Sequence, residues 1–388
     1  MSSERFDRLR KMQKKLLEVV RKFPDEEGVY LRRQYHPLLS PIAWHIGHCV
    51  YIEALWIRGC LLDDYTLAEE LASTYQPELL EKTARSSTLP NSTELFVWAQ
   101  ELTSKHVEIL SSASDGPSQT SDQSREKKHI AEFLINHHAQ HLETIAMVEW
   151  ARQRVSPKEP PSNLAILKPG DDLISLKSVP GGLYQIGTRG GFSFDNESPQ
   201  QSVELRPFKV TEVPVNNSQF LAFVEDGGYQ NRNLWSNFGW RWRTGVDAEC
   251  PRSWRRNMNG GWYVQALVQQ DRNVGDMPVT GVTHYEASAF AVWSGLRLIH
   301  EYEWEVAADL AILSGRGEVW EWCSNVFHPY CGFVPYTYWE YSVPWFDQRH
   351  YVLRGGSWYT ESEIRRTSFR NYYLAGADYL FSGIRLAE

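Results

Sequence analysis

His137-His138-Ala139-Gln140-His141-Leu142-Glu143-Thr144 is the run on which the reading of this chain turns. His137 and His141 stand four residues apart, the spacing that puts two side chains on one face of a helix. A neutral imidazole binds iron, zinc or copper through either ring nitrogen, so the pair offers two donors to one cation. A third donor is offered by Trp44-His45-Ile46-Gly47-His48. His45 and His48 are both candidates, because only one of them has to face the pair, and His138 competes with His137. Glu143 is a candidate hydrogen-bond acceptor behind His141. Three imidazoles on one side of a bundle, with the rest of the coordination sphere open, make a reactive metal centre rather than a structural one.

The same run lies in the longest helical pattern of the chain, His129 to Arg152. Residues 4–23 predict a helix through Leu9, Met12, Leu16, Val19 and Val20. Residues 41–58 predict a second, with Ser40 capping and Pro41 at the first helical position. A third is expected from Ser92 to Ser111. The polar stretch 112–128 reads as a surface loop. Four helices with apolar stripes make an antiparallel bundle, residues 1–154.

Three prolines in Val155-Ser-Pro-Lys-Glu-Pro-Pro-Ser162 mark a linker, taken to residue 172. From 173 to 388 the texture changes. Leu183–Gly187 and Ser202–Leu205 alternate as strands. Helices are expected at Asn217–Val224 and Tyr285–Ser294, amid Gly, Asn and Asp turns. The fold class is thus a helical bundle followed by an α+β domain with much irregular structure.

Composition sets the outer bounds. A length of 388 residues suggests two domains. Hydrophobic content of 42% and charged content of 23% belong to a soluble globular protein. The net charge of −8 gives no reason to expect nucleic acid or an anionic membrane as partner. No apolar run is long enough to span a bilayer, and the polar N-terminus lacks a secretory h-region. Five scattered cysteines, Cys49, Cys60, Cys250, Cys323 and Cys331, form no metal-type pair and suit a reducing cytoplasm. Sixteen Trp and nineteen Tyr, with most of the tryptophans after residue 230, suit either the walls of a pocket for a polar organic ligand or the packing of a domain poor in regular structure.

Two resemblances sharpen this reading. Leu39-Ser-Pro-Ile-Ala-Trp-His-Ile-Gly-His48, followed by Glu53-x-x-Trp56, resembles DinB-like helical bundles. Phe194-Asp-Asn-Glu197, Pro214-Val-Asn-Asn217, Glu303-Trp-Glu305, Gly317-Glu-Val-Trp-Glu-Trp322, Leu353-Arg-Gly-Gly-Ser-Trp358 and Ser382-Gly-Ile-Arg385 resemble the formylglycine-generating-enzyme/sulfatase-modifying-factor fold, a C-type-lectin-like domain. In this order the two halves resemble the non-haem iron sulfoxide synthases of ergothioneine biosynthesis (EgtB type).

The resemblance implies that His48, His137 and His141 ligate Fe(II) and that Gln140 contacts the imidazole of the substrate. It implies that Tyr338, first in Tyr338-Trp-Glu-Tyr-Ser342, is the active-site acid during oxygen activation, with Tyr341 lining the same site. Arg370-Asn371 matches a Phe-Arg-Asn run whose Asn holds the carboxylate of hercynine. The implied partners are small molecules: O2, hercynine or histidine, and a thiol or selenol donor. Tyr372-Tyr373 stands where members using gamma-glutamylcysteine often carry Trp-Asp. Loss of that carboxylate removes a partner for the thiol's ammonium, and Lys82 and Arg85 read as a solvated helix face rather than a carboxylate clamp. Cysteine, or a thiosugar or selenosugar as in selenoneine synthases, is the expected donor class. A non-catalytic lectin-like binding module is the reading of a different class. No cysteine lies between Ser357 and Glu388, which argues against copper-dependent formylglycine formation.

Overall fold

The structure is a computed structural model that describes residues 2–23, 29–112, 121–155, 165–170, 174–189, 193–265, 273–336 and 338–388. The chain divides into two compact units: Met1–Lys158 with Tyr359–Ile364, and Glu159–Trp358 with Arg365–Glu388. Apart from Val155, the proline-rich run Val155–Ser162 lies outside the described residues. Residues 165–170, read from sequence as linker, belong to the second unit. There Leu167 N–H donates to the Trp262 carbonyl at 2.8 Å and Gly170 N–H to that of Ser218 at 3.1 Å.

The first unit is built on α1 (Ser2–Lys22), α2 (Ile42–Glu53), α3 (Thr66–Tyr75), α4 (Ser92–Ser112) and α5 (Ser121–Val155). Helix α1 packs against α4 and α5, and so does α2, which places α1 and α2 on opposite corners of a four-helix core. On α1 the buried residues Phe6, Leu9, Met12, Leu16 and Val20 recur every three or four positions, the stripe an amphipathic helix presents to a core. Helix α2 differs, because all twelve of its residues are buried. It is the central helix, and its polar residues must find partners inside the bundle.

Three expectations change here. Pro41 is the N-cap of α2, not its first helical residue, and no side chain caps that end. Ser40 is occupied elsewhere, its hydroxyl accepting from Arg85 Nη1 at 2.6 Å. The α-helix stops at Glu53 and continues to Cys60 as a wider π-helical segment, Ala54–Cys60, a form often found near functional sites. Helix α5 starts at Ser121, eight residues before the expected start. Gln123, Arg125, Glu126, Lys127 and Lys128 are good helix formers, and this propensity outweighs the polarity that suggested a loop. Residues 113–120 of the expected loop lie outside the described residues.

The second unit holds strands β1 (Leu176–Val179), β2 (Gly182–Ile186), β3 (Gln201–Leu205), β4 (Phe208–Thr211), β5 (Trp254–Arg256), β6 (Trp262–Val264), β7 (Arg297–Leu298), β8 (Trp320–Val326), β9 (His350–Arg354), β10 (Asn371–Leu374), β11 (Ser382–Ile384) and β12 (Leu386–Ala387). They form sheets of order β1-β4-β12-β7 and β10-β9-β8-β11 and hairpins β2-β3 and β5-β6. Its helices are α6 (Asn217–Glu225), α7 (Asn237–Gly245), α8 (His284–Trp293) and α9 (Glu301–Asp309). Only α6 and α8 were expected; α7 and α9 carry too little periodicity over nine residues each to stand out.

Regular structure is short in this unit, and buried charge takes over part of its work. Arg354 pairs with Glu305, Arg370 with Glu301 and Arg385 with Glu321, all six side chains fully or almost fully buried. Five of these residues come from the segments Glu303–Glu305, Gly317–Trp322, Leu353–Trp358 and Ser382–Arg385 and from the Arg370-Asn371 pair; the sixth, Glu301, opens α9. Breaking such a pair on one side strands a charge at a cost of about 3–5 kcal/mol. Gly355, at φ +97°, lets the chain turn after β9 against Trp304, whose Cζ2 would stand 3.1 Å from an added Cβ. Trp235, Trp254, Trp304, Trp320 and Trp322 are buried in the core, so these tryptophans pack the domain rather than line a pocket.

Candidate metal centre

The buried helix α2 and the middle of α5 bring His48, His137 and His141 together, with one donor atom from each lying within 4.8 Å of the others. Ring centroids are 5.2 Å apart for His48–His137, 4.9 Å for His48–His141 and 4.5 Å for His137–His141. His48 Nδ1 lies 2.8 Å from the Tyr75 carbonyl oxygen. A carbonyl only accepts, so Nδ1 carries the proton and Nε2 keeps its lone pair for a cation. Trp44 stacks on the other side of His48, at 4.7 Å and 11°. Arg85 lies over Trp44 at 3.8 Å.

Gly47 makes this arrangement possible. A Cβ there would stand 2.1 Å from Tyr75 Cε1. The missing side chain lets the tyrosine at the end of α3 press against α2 and deliver its carbonyl to His48.

The competition between histidines is resolved by packing. His45 does not replace His48; it backs His141, with the two Nδ1 atoms 3.0 Å apart. His138 turns away into a buried network. Glu53 Oε1 accepts from His138 Nε2 at 2.7 Å and from Gln13 at 2.8 Å, and Oε2 accepts from His106 Nδ1 at 2.9 Å. Burial by itself raises the Glu53 pKa, but hydrogen bonds from His106 and His138 outweigh it and bring it down to about 2. Gln13 and His106 were not singled out from sequence, since nothing local to either marks it.

Burial holds His45, His137 and His141 well below the ordinary imidazole pKa, and the neighbouring imidazoles add to the effect. Burial brings His48 down to about 4. All four are neutral at pH 7, the form that ligates metals. Three neutral donors, one with its tautomer locked, fit a divalent transition-metal ion.

Glu143 is buried rather than solvated, and its Oε1 accepts from the Thr360 hydroxyl at 2.8 Å. With the Lys15–Glu361 ion pair at 2.6 Å, this ties Tyr359–Ile364 into the first unit. Arg85 is also buried rather than on a solvated face, donating to Ser40, Leu80 and Pro77. Lys82 is exposed and donates to the Leu38 carbonyl at 2.9 Å. Gln140 is half-buried on α5, next to His141.

In the second unit Tyr338 is half-buried and immediately precedes the short 3-10 turn Trp339–Tyr341. The far side of that turn is held by Ser342, which bonds Asp195 and Asn196, and by Tyr341, which stacks on Phe194 at 3.8 Å. Arg370 is committed to the frame: Nε and Nη2 each donate to Glu301 at 2.8 Å, and Nη1 and Nη2 donate to the Asn196 and His328 carbonyls. It is a buried cation tied to Glu301 and to two backbone carbonyls. Tyr372 donates its hydroxyl to the Tyr341 carbonyl and stacks on Phe327 at 4.1 Å. Asn371 is buried, its side-chain oxygen accepting from Tyr372 N–H at 3.0 Å, and Tyr373 is half-buried with its ring edge-on to Tyr379.

All five cysteines are free thiols; Cys49 and Cys323 are buried, Cys250 is half-buried, and Cys60 and Cys331 are exposed. No helix among the described residues is long and apolar enough to cross a membrane.

Residues 8–145 match the DinB superfamily, and residues 168–315 and 309–388 match the sulfatase-modifying factor enzyme 1-like domain. The chain is 30% identical to a hercynine oxygenase of Mycolicibacterium smegmatis, covering 94% of each chain. It is 31% identical to a hercynine oxygenase of Mycolicibacterium thermoresistibile over 94% of this chain and 90% of that one. Ergothioneine biosynthesis protein 1 of Schizosaccharomyces pombe is 26% identical over 51% of this chain and 28% of its own length. A helical DinB unit, a sulfatase-modifying-factor unit and near full-length identity at this level lead to one assignment: the chain belongs to the hercynine oxygenase family and is an enzyme of the oxygenase class.

Proposed function

We propose that this chain is an O2- and Fe(II)-dependent sulfoxide synthase that joins a thiol, cysteine or a related donor, to the imidazole of hercynine. The observation that carries this reading is the convergence of His48 and His137, both buried, with the half-buried His141, all three neutral and with Nε2 of His48 left for a cation. Those three residues would hold Fe(II). Bound ferrous iron supplies open positions for O2, thiolate and imidazole, and lowers the pKa of a coordinating thiol.

The remaining roles belong to the protein. Gln140, beside His141, orients the substrate imidazole. Asn371 receives the hercynine carboxylate. Tyr338 holds a phenolic proton for delivery during oxygen activation, and Tyr341 lines that site. The frame around Arg370 supports Asn371 rather than touching substrate. Tyr372 and Tyr373 offer no carboxylate to a thiol substrate's ammonium, which favours a donor without the glutamyl group of gamma-glutamylcysteine.

Anaerobic loading with Fe(II), then O2 uptake and mass spectrometry of products with hercynine and cysteine, tests the reading. His137→Ala is expected to lose stoichiometric iron and more than ~100-fold of the O2 uptake, beyond what loss of a supporting hydrogen bond costs. Tyr338→Phe is expected to keep its iron and lose roughly 10²–10⁴-fold in product formation, the range of a positioned general acid. Full activity in His137→Ala would exclude the ferrous reading.

A further inference from the structure

The bundle contains a second set of donors next to the three-histidine cluster. One ligand atom each from Cys49, His137 and His138 also lies within 4.8 Å of the others, and all three residues are buried. His138 is held on one side, where its Nε2 donates to Glu53 at 2.7 Å. Its Nδ1 is buried and has no hydrogen-bond partner among the described residues. An imidazole fixed through one nitrogen by a carboxylate, with the other nitrogen's lone pair unspent, is how proteins commonly present histidine to a metal. The thiol of Cys49 completes a softer donor set than three imidazoles.

We propose that Cys49, His137 and His138 form a second cation site, with Glu53 supporting His138, that takes a thiophilic ion such as Zn2+ or Cu+. On binding, the Cys49 S–H bond breaks, its proton passes to solvent, and the sulfur lone pair bonds the cation; no electron changes hands. A thiolate with two imidazoles selects zinc or cuprous copper over harder ions. A neutral imidazole has only one lone pair, so His137 serves one of the two sites at a time. Occupation of the thiolate site therefore competes with filling of the three-histidine site. The binding stands on its own; the competition rests on the ferrous reading above.

Metal-free full-length protein is titrated anaerobically with Co2+, and with Zn2+ against a chromophoric chelator. A thiolate-to-cobalt charge-transfer band is expected in His141→Gln, where the three-histidine site is broken, and in wild type at excess Co2+. The band should vanish when Cys49→Ser is added, and the apparent Zn2+ dissociation constant should rise at least ~10-fold. Cys49→Ala serves the same comparison if the serine variant does not fold. Absence of the band from both proteins, its persistence without Cys49, or an unchanged Zn2+ affinity would overturn the site. One equivalent of Zn2+, which also competes directly for three imidazoles, should slow Fe(II) uptake more in wild type than in Cys49→Ser. Equal iron uptake in the two overturns the competition alone.

Discussion

His45 shows how much depends on a single nitrogen. If His141 offers Nε2 to a cation, its Nδ1 must carry the ring proton and donate it to His45 Nδ1, 3.0 Å away. The opposite tautomer would leave His141 protonated on the ligating side. The acceptor role forces the His45 proton onto Nε2, which is buried. His45 is thus a positioning residue, held neutral by burial. His45→Phe keeps a ring and removes the acceptor; Fe(II) affinity is expected to fall about 10–100-fold in anaerobic titration. His45→Gln, whose amide oxygen can accept, should recover part of the loss, and equal affinities for all three proteins would remove His45 from this role.

At the scale of elements, the contact between α2 and the end of α3 governs His48. Gly47→Ala puts a methyl 2.1 Å from the Tyr75 ring, so the ring and its carbonyl must move. Overpacking of this kind costs about 1–3 kcal/mol, offset by about 1 kcal/mol of helix propensity gained on replacing glycine. Released from the Tyr75 carbonyl, His48 loses its tautomer lock, and cation affinity should fall by about tenfold or more. The double variant Gly47→Ala/Tyr75→Leu is expected to regain stability in urea unfolding without regaining affinity. Loss of stability with no change in affinity would separate the two effects. The widened segment Ala54–Cys60 follows the same helix and carries Trp56, whose ring lies 4.6 Å from that of Phe133.

At the scale of the whole molecule, both units bury titratable groups, and these set the response to acid. In the second unit His284 is buried against Tyr351 and Trp322, and burial lowers its pKa from 6.5 to about 3. Below pH 6.5 the unfolded chain binds a proton that the folded chain refuses, so the folded state loses free energy as pH falls toward 3. Between neutral pH and pH 4 this one group accounts for about 3 kcal/mol. Urea unfolding of the metal-free protein at pH 7, 5.5 and 4 should show the decline, with a shallower slope in His284→Gln. A flat profile across that window would mean that His284 is not buried in the neutral form.

The linear order of residues was enough to set the helical face shared by His137 and His141, the change of texture near residue 160, and the helices at Ser92 and Asn217. Each is a local property: backbone periodicity and capping act over a few residues. Which of His45 and His48 joins the pair, why His138 turns to Glu53, and why Arg85 and Arg370 are buried cations were decided by tertiary structure. Those outcomes depend on partners far away in the chain: Tyr75 for His48, His106 and Gln13 for Glu53, Glu301 for Arg370. A buried polar group takes whichever partner packing brings within reach, and no local spacing encodes that choice.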